Sequence, residues 1–431
     1  MKGNREIKDV VYLMALQGLN YVAPLIVFPY LMKVLGAEKF GYIGFSLSVT
    51  QYLMLIVDFG FNLTATKKIA IAKNNQEELN EIFSATLFAK LVLLIISFII
   101  LLIVAFAIPR FAVYSSTMMI MFLMVIANTF SFVWLFQGLG KIRQVSIING
   151  ISKLLILPLT FVLVRSADDF LFAALIQSMV YIFGSLIVVG VLVKQKFITK
   201  WIKSTKEKVL REIKDAFPIF LSSVATSVYV SLFVVLLAYF STPDEVGKYA
   251  AVEKIMRSVC YFIFIPISQV FYPKVSSMAF NNRSEAVILI RKLLIVVAVG
   301  MASIFVGMYF FSGILIDFLG DDYRDTKMIF RIMAIIPLFI GMGGILGQLG
   351  LLGLGGDLEK KKFQNVYFIA GGVAVVSTFL LTPRFHAIGA SVSLLITEFV
   401  VFLFMALISK KYLFKNLSHN ELLYGASKSP K

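Results

Sequence analysis

Residues 251–273 read AVEKIMRSVCYFIFIPISQVFYP. Most of this stretch is apolar enough to lie in a bilayer, yet Glu253, Lys254 and Arg257 stand in its first third. A charge near the bilayer centre costs about 2.5–3.5 kcal/mol on insertion scales. Three such charges in one span call for an explanation, and the rest of the chain supplies the setting in which to read them.

Of 431 residues, 59% are hydrophobic and only 15% charged, with a mean hydropathy of +0.89. Soluble globular chains are about 45–50% apolar. Apolar runs of about 20 residues recur from end to end, the mark of a helical multi-pass membrane protein. The short alternating segments of a transmembrane β-barrel are absent. The polar start MKGNREIKDV is followed by an apolar run to Gly36. That run is too long for a signal-peptide core and lacks a small-residue cleavage site, so it reads as the first span. Spans are predicted over 10–35, 40–63, 83–107, 113–138, 145–165, 168–193, 216–240, 247–274, 287–312, 328–353, 363–382 and 385–408. The predicted fold is an all-α polytopic membrane protein with twelve transmembrane helices.

With the N-terminus placed in the cytoplasm, 28 of the 41 Lys and Arg residues fall on the cytoplasmic side, eight on the other side and five within spans. The positive-inside rule then puts both termini in the cytoplasm. The net charge of +17 is accounted for by topology and contact with anionic lipid heads, so nucleic acid is not an expected partner. The largest inner loop, KQKFITKWIKSTKEKVLREIKDA (194–216), spaces Ile198, Ile202, Leu210, Ile213 and Phe217 as a helix lying on the cytoplasmic leaflet would. It sits midway along the chain. The expected organisation is an N-terminal six-helix lobe (1–195), an amphipathic linker (196–215), a C-terminal six-helix lobe (216–410) and a cytoplasmic tail (411–431). A weak internal match supports duplication: VLGAEKFGYIG (34–44) aligns with FSTPDEVGKYA (240–250), pairing Glu38 with Asp244 and Gly41 with Gly247. Duplicated lobes around a central site are a common transporter plan.

Motifs for catalysis are missing. GMGGILGQLGLLGLGG (341–356) lacks the Lys-Ser/Thr ending of a nucleotide-binding loop and sits inside a span. It reads as a close-packing, bending segment. The two histidines, His386 and His419, and the single Cys260 suggest no metal site. The outer loops are short, the longest being FLGDDYRDTK (318–327), which leaves little room for an exoplasmic catalytic domain. A non-enzymatic transporter with no bound cofactor is expected, driven by a coupling ion, H+ or Na+, rather than by direct ATP hydrolysis.

Charges within spans are the candidate site residues. Arg257 lies ten residues past Gly247, near mid-membrane at about 1.5 Å per residue, with Lys254 on the same helix face. Together they suit an anionic head group, whereas Glu253, four residues before Arg257, could simply neutralise it. Lys153 and Arg331 are further substrate-binding candidates, each weighed against snorkelling to an interface; Lys90 is a shallower one. Glu398, in LLITEFVVF, is a candidate coupling carboxylate, weighed against a salt bridge to a neighbouring helix. Asp58 and Glu253 are candidates for coupling or gating, with a tether from Asp58 to Lys67 or Lys68 as the plainer reading. Pro24, Pro29, Pro158, Pro266, Pro273 and Pro337 interrupt spans, consistent with kinks.

The stretch 13–70 resembles the N-terminal region of bacterial polysaccharide-biosynthesis flippases of the O-antigen transporter type. QGLNY (17–21), PYL (29–31), VLG-x-E-x-FG (34–41) and DFGFNL-x-AT (58–66) carry the likeness, with WLFQGLGK (134–141) at the end of the fourth span. That family belongs to the multidrug/oligosaccharidyl-lipid/polysaccharide superfamily. The resemblance implies two six-helix lobes around a V-shaped cleft in the bacterial inner membrane. It implies alternating-access transfer of an undecaprenyl-pyrophosphate-linked oligosaccharide to the periplasmic leaflet, driven by an ion gradient or membrane potential. Polysaccharide polymerase and assembly proteins would be further partners. Basic residues on the eighth helix line the cleft of related lipid flippases, and Lys254 and Arg257 match that placement by region. The alternatives are a drug/cation antiporter or another small-molecule exporter, and a membrane polymerase or ligase. A facilitator-type exporter would need a G-x-x-x-D-R/K-x-G-R-R loop after the second span, where this chain has GFNLTATKKIAIAKNN. An antiporter cleft would be richer in acids, and a polymerase would need longer outer loops.

Overall fold

The computed structural model describes residues 2–413, and all regular structure among them is helical. The cytoplasmic tail expected over 411–431 therefore lies almost wholly outside the described residues. The first half of the chain contributes α1 (Lys2–Asp58), α2 (Phe61–Ala72), α3 (Gln76–Leu102), α4 (Ser115–Thr129), α5 (Val133–Gly138), α6 (Ile142–Leu163) and α7 (Phe170–Lys194). The second half contributes α8 (Lys206–Phe240), α9 (Pro243–Asn281), α10 (Arg283–Phe310), α11 (Ser312–Leu319), α12 (Lys327–Ala334), α13 (Ile336–Gly344) and α14 (Asp357–Leu413). The two halves meet most extensively along α1 and α9.

Nine helical runs among the described residues are long and apolar enough to cross a membrane. Two of them, Leu25–Ala72 and Leu358–Lys411, hold 48 and 54 residues, more than twice the ~20 that one crossing takes. Each folds back on itself. In α1 the turn is at Gly36 (φ 70°, ψ 175°), and the rings of Phe28 and Phe40 lie 6.3 Å apart across it. Twelve residues of straight helix would separate them by about 18 Å. In α14 the turn is at His386 (φ 48°, ψ −126°). There Gly389 packs directly on Leu381 and Thr382. These two helices hold the expected spans one and two, and eleven and twelve. Expected span seven falls on α8.

The remaining helices begin and bend where the residues dictate. α9 starts at Pro243, whose missing N–H is no loss at the first helical position. Thr242 caps it by accepting from Glu245 N at 3.4 Å, with Asp244 and Glu245 in the first turn, the favourable end of the helix dipole for acids. The glycine-rich stretch behaves as a packing segment. α13 passes into a π-helical turn, Ile345–Gly353, where Gly344 faces the Phe264 ring and Gly347 faces Phe363 and Met405.

The linker departs from the expectation of a surface helix. Its first part is not helical: Gln76 Nε2 donates to Phe197 O at 2.9 Å, Thr199 N to Asn80 Oδ1 at 3.1 Å and Ile202 N to Ser84 Oγ at 3.2 Å, and the Lys141 ammonium lies 3.9 Å from the Phe197 ring centroid. These bonds draw the chain across the end of α3. Helix resumes only at Lys206 and runs unbroken into α8. Leu210 and Phe217, assigned to the lipid-facing side of that surface helix, do lie open on the helix that follows.

The two halves touch at both ends. At the lysine-poor end, Gly41 and Gly247 sit backbone to backbone. A Cβ on Gly41 would overlap the Pro243 carbonyl oxygen, and one on Gly247 would overlap that of Ala37. Gly44 likewise faces the Ala250 Cβ. All three pairings are reciprocal at the sequence offset that aligns 34–44 with 240–250, as a two-fold-related duplication would produce. Ala37 N also donates to Asp322 Oδ2 at 3.4 Å. At the lysine-rich end, Phe59 stacks on Phe220 at 4.2 Å, and Lys68 of α2 donates to Glu212 at 2.7 Å and to Asp215 at 2.8 Å, both on α8.

Candidate functional site

Between these closures, α1, α8 and α9 enclose a cavity of about 330 Å³ lined by Glu253, Lys254 and Arg257. The three charges of 251–273 thus face one space. Arg257 is 9% exposed. Its Nε donates to Glu253 Oε1 at 2.9 Å and its Nη1 to Tyr261 Oη at 3.1 Å. Glu253, Arg257 and Tyr261 form an i, i+4, i+8 ladder, the spacing that puts side chains on one helical face. The partners fix the guanidinium's orientation, which suits bidentate binding of phosphate oxygens. Lys254 is held differently. Its ammonium lies 4.6 Å from the centroid of the Phe28 ring, a cation–π contact from α9 to the first half of α1. Gln51 and Ser231 face the same cavity, bonded to each other at 3.2 Å.

A second cavity, of about 350 Å³, adjoins the first and shares Tyr261 with it. Glu398, 2% exposed, lines it with Gln269, Gln348 and Tyr367. The sequence reading placed Glu398 correctly in the interior of a span, but nothing local revealed that Gln269 and Gln348 would join it.

Other candidates are not brought here. Asp58 is bound by Lys90 Nζ at 3.0 Å and by Asn128 Nδ2 at 3.0 Å. Lys90 is 1% exposed, so it is a buried structural partner rather than a shallow cation. Lys68, weighed as a partner for Asp58, is taken by α8 instead. Arg331, expected to bind substrate, lies apart from both cavities. It is exposed on α12 with its guanidinium 5.4 Å from the Tyr309 ring centroid, and it lines neither cavity. Lys153 also lines neither. It is half-buried on α6. Among the described residues, no group of three or more His, Cys, Asp or Glu is placed to hold a metal ion.

An all-helical multi-pass chain with a charged cavity at the junction of two helical bundles is a membrane transporter by architecture. Solved structures share it. The structure described as an inward-facing multidrug resistance transporter of the MATE family and MOP superfamily has a TM-score of 0.73 at 12% identity, covering 94% of this chain and 96% of that one. The lipid II flippase MurJ, in an inward closed conformation, has a TM-score of 0.67 at 15% identity, covering 98% and 94%. These likenesses establish the fold. The family model described as "Polysaccharide biosynthesis protein" matches residues 7–279, and a protein of Escherichia coli (strain K12) named "Putative O-antigen transporter" is 32% identical over 395 residues, 91% of this chain and 94% of that one. The chain belongs to the polysaccharide biosynthesis protein family.

Proposed function

We propose that this protein is a flippase that carries a polyprenyl-pyrophosphate-linked oligosaccharide across the bacterial inner membrane, from the cytoplasmic to the periplasmic leaflet. The observation that carries the reading is the pair of cations in one mid-span cavity: Arg257, oriented by Glu253 and Tyr261, and Lys254, resting on Phe28. Two fixed cations match the charge of a pyrophosphate, and charge-assisted bonds to phosphate oxygens are among the strong ones. A few cations rather than a deep basic cage keep the binding reversible. The family membership and the O-antigen transporter relative support the same substrate class.

The cycle is alternating access between an N-terminal lobe (1–195) and a C-terminal lobe (216–410), with both termini cytoplasmic. Contacts between the lobes at both ends of the cavity are the natural gates: Gly41–Gly247 with Asp322 at one end, Phe59–Phe220 with Lys68–Glu212 and Lys68–Asp215 at the other. Glu398 couples the cycle to H+ or Na+, and Glu253 tempers Arg257 until the anion arrives. Membrane lipids meet the prenyl tail, and a polysaccharide polymerase with its assembly proteins receives the product. The protein acts as a transporter, not a catalyst.

Arg257→Ala is expected to abolish export of the lipid-linked glycan while leaving the protein inserted at normal abundance. Complementation of a transporter-null strain, scored by surface polysaccharide, measures it; full complementation by the variant would remove Arg257 from the head-group site. Glu398→Gln is expected to flatten the pH dependence of transport in proteoliposomes, and an unchanged pH profile would remove Glu398 from coupling.

A further inference from the structure

The second cavity has a lining that head-group binding leaves unused. At about 350 Å³ it falls in the range of small-ligand sites, about 300–1,000 Å³. Apart from Glu398, its polar groups are neutral: the amides of Gln269 and Gln348, the Ser268 hydroxyl and the Tyr367 phenol. They stand beside the Phe339 ring and the bare backbone of Gly343 and Gly344. Ser268 Oγ donates to Gln348 Oε1, which leaves the Gln348 amide nitrogen able to donate elsewhere. The Gln269 side chain is exposed. Amide donors and acceptors beside an apolar ring suit a ligand that carries many hydroxyls on a partly apolar frame. The cavity is also continuous in placement with the cationic one. Tyr261 lines both, and its hydroxyl accepts from Arg257.

We infer that this second cavity is a saccharide subsite. It holds sugar of the same molecule whose pyrophosphate lies at Lys254 and Arg257, with Gln269 and Gln348 bonding sugar hydroxyls and Phe339 covering an apolar sugar face. The inference rests on the flippase reading and adds the place where the glycan is discriminated.

Binding of two probes to the purified full-length protein tests it: undecaprenyl pyrophosphate, and undecaprenyl-pyrophosphoryl-N-acetylglucosamine. A neutral hydrogen bond to a ligand is worth up to about tenfold in affinity. The wild type is expected to bind the sugar-bearing probe about tenfold more tightly than the sugar-free one. Gln269→Leu, at an exposed position, and Gln348→Met, of similar volume, are each expected to erase most of that preference while binding of the sugar-free probe stays within about twofold. Equal wild-type affinity for the two probes, or a variant that loses both probes equally, overturns the saccharide subsite alone. Arg257→Ala is expected to lose both probes. Undiminished binding of the sugar-free probe by Arg257→Ala overturns the head-group reading, and the subsite with it.

Discussion

Asp58 and Lys90 bring opposite charges together inside one bundle, with the Lys90 side chain buried and the Asp58 side chain 27% exposed. Lys90 is almost fully enclosed, with its ammonium 3.0 Å from Asp58 and 3.5 Å from the Asn128 carbonyl oxygen. Removing one partner of a buried pair costs about 3–5 kcal/mol, because the survivor is left charged and unsolvated, whereas replacing both with apolar groups is often near neutral. Asp58→Ala is therefore expected to lower the melting temperature of the solubilised protein and its abundance in membranes. Asp58→Ala combined with Lys90→Met is expected to recover most of both. A single variant as stable as wild type would show that the pair is dispensable. Arg257 differs from Lys90 in its surroundings. It faces a cavity, and its orienting partners, Glu253 and Tyr261, lie one turn away on either side. A cation inside a span can thus be packed against helix partners, as Lys90 is, or face a space, as Arg257 does.

At the level of the helix, the reciprocal contact of α1 with α9 decides how close the bundles come. Glycine is needed at Gly41 and Gly247 because the facing carbonyl oxygens already occupy the place of a Cβ. Either Gly41→Leu or Gly247→Leu is expected to hold the lysine-poor ends apart and reduce export severely without unfolding the bundles. A cysteine at Ser48, which lines the cationic cavity, reports the opening in a Cys260→Ser background. Labelling by a membrane-impermeant maleimide is expected to rise in the leucine variants. Unchanged labelling with normal export would mean that these ends need not close. The short motif 58–61 has a similar structural reading. Gly60 (φ 90°) ends α1, and its backbone approaches Ile219 and the Ala216 carbonyl oxygen of α8.

Over the whole molecule, the linker and α8 form the clasp at the lysine-rich end. Lys68 reaches two carboxylates there, and Glu212 is 6% exposed while Asp215 is open to solvent. Salt shortens the Debye length from about 10 Å at 0.1 M to about 3 Å at 1 M, weakening exposed pairs first. Lys68→Ala is expected to loosen the clasp, seen as faster tryptic cleavage after the exposed Lys200 and Lys203 of the linker. High salt should accelerate cleavage in the wild type and change little in the variant. Identical cleavage rates for the two proteins at low salt would exclude Lys68 as a clasp.

Hydropathy alone marked the helical membrane class, because a span about 20 residues long and apolar throughout leaves its signature in consecutive residues. The offset pairing of 34–44 with 240–250 was readable too, and so was the ladder of Glu253 and Arg257, since contacts four residues apart are written along a single helix. Tyr261 could have been added by the same spacing. What the sequence left open were contacts between residues distant along the chain. That Lys254 rests on Phe28, that Asp58 takes Lys90 rather than Lys68, that Arg331 stays outside and that Gln269, Gln348 and Glu398 share a wall all depend on how helices cross. Those crossings follow from side-chain packing summed over many residues, and no local pattern encodes them. Sequence determined which segments are helices suited to a membrane and which charges they carry; tertiary structure decided which of those charges meet an open space and which are spent holding helices together.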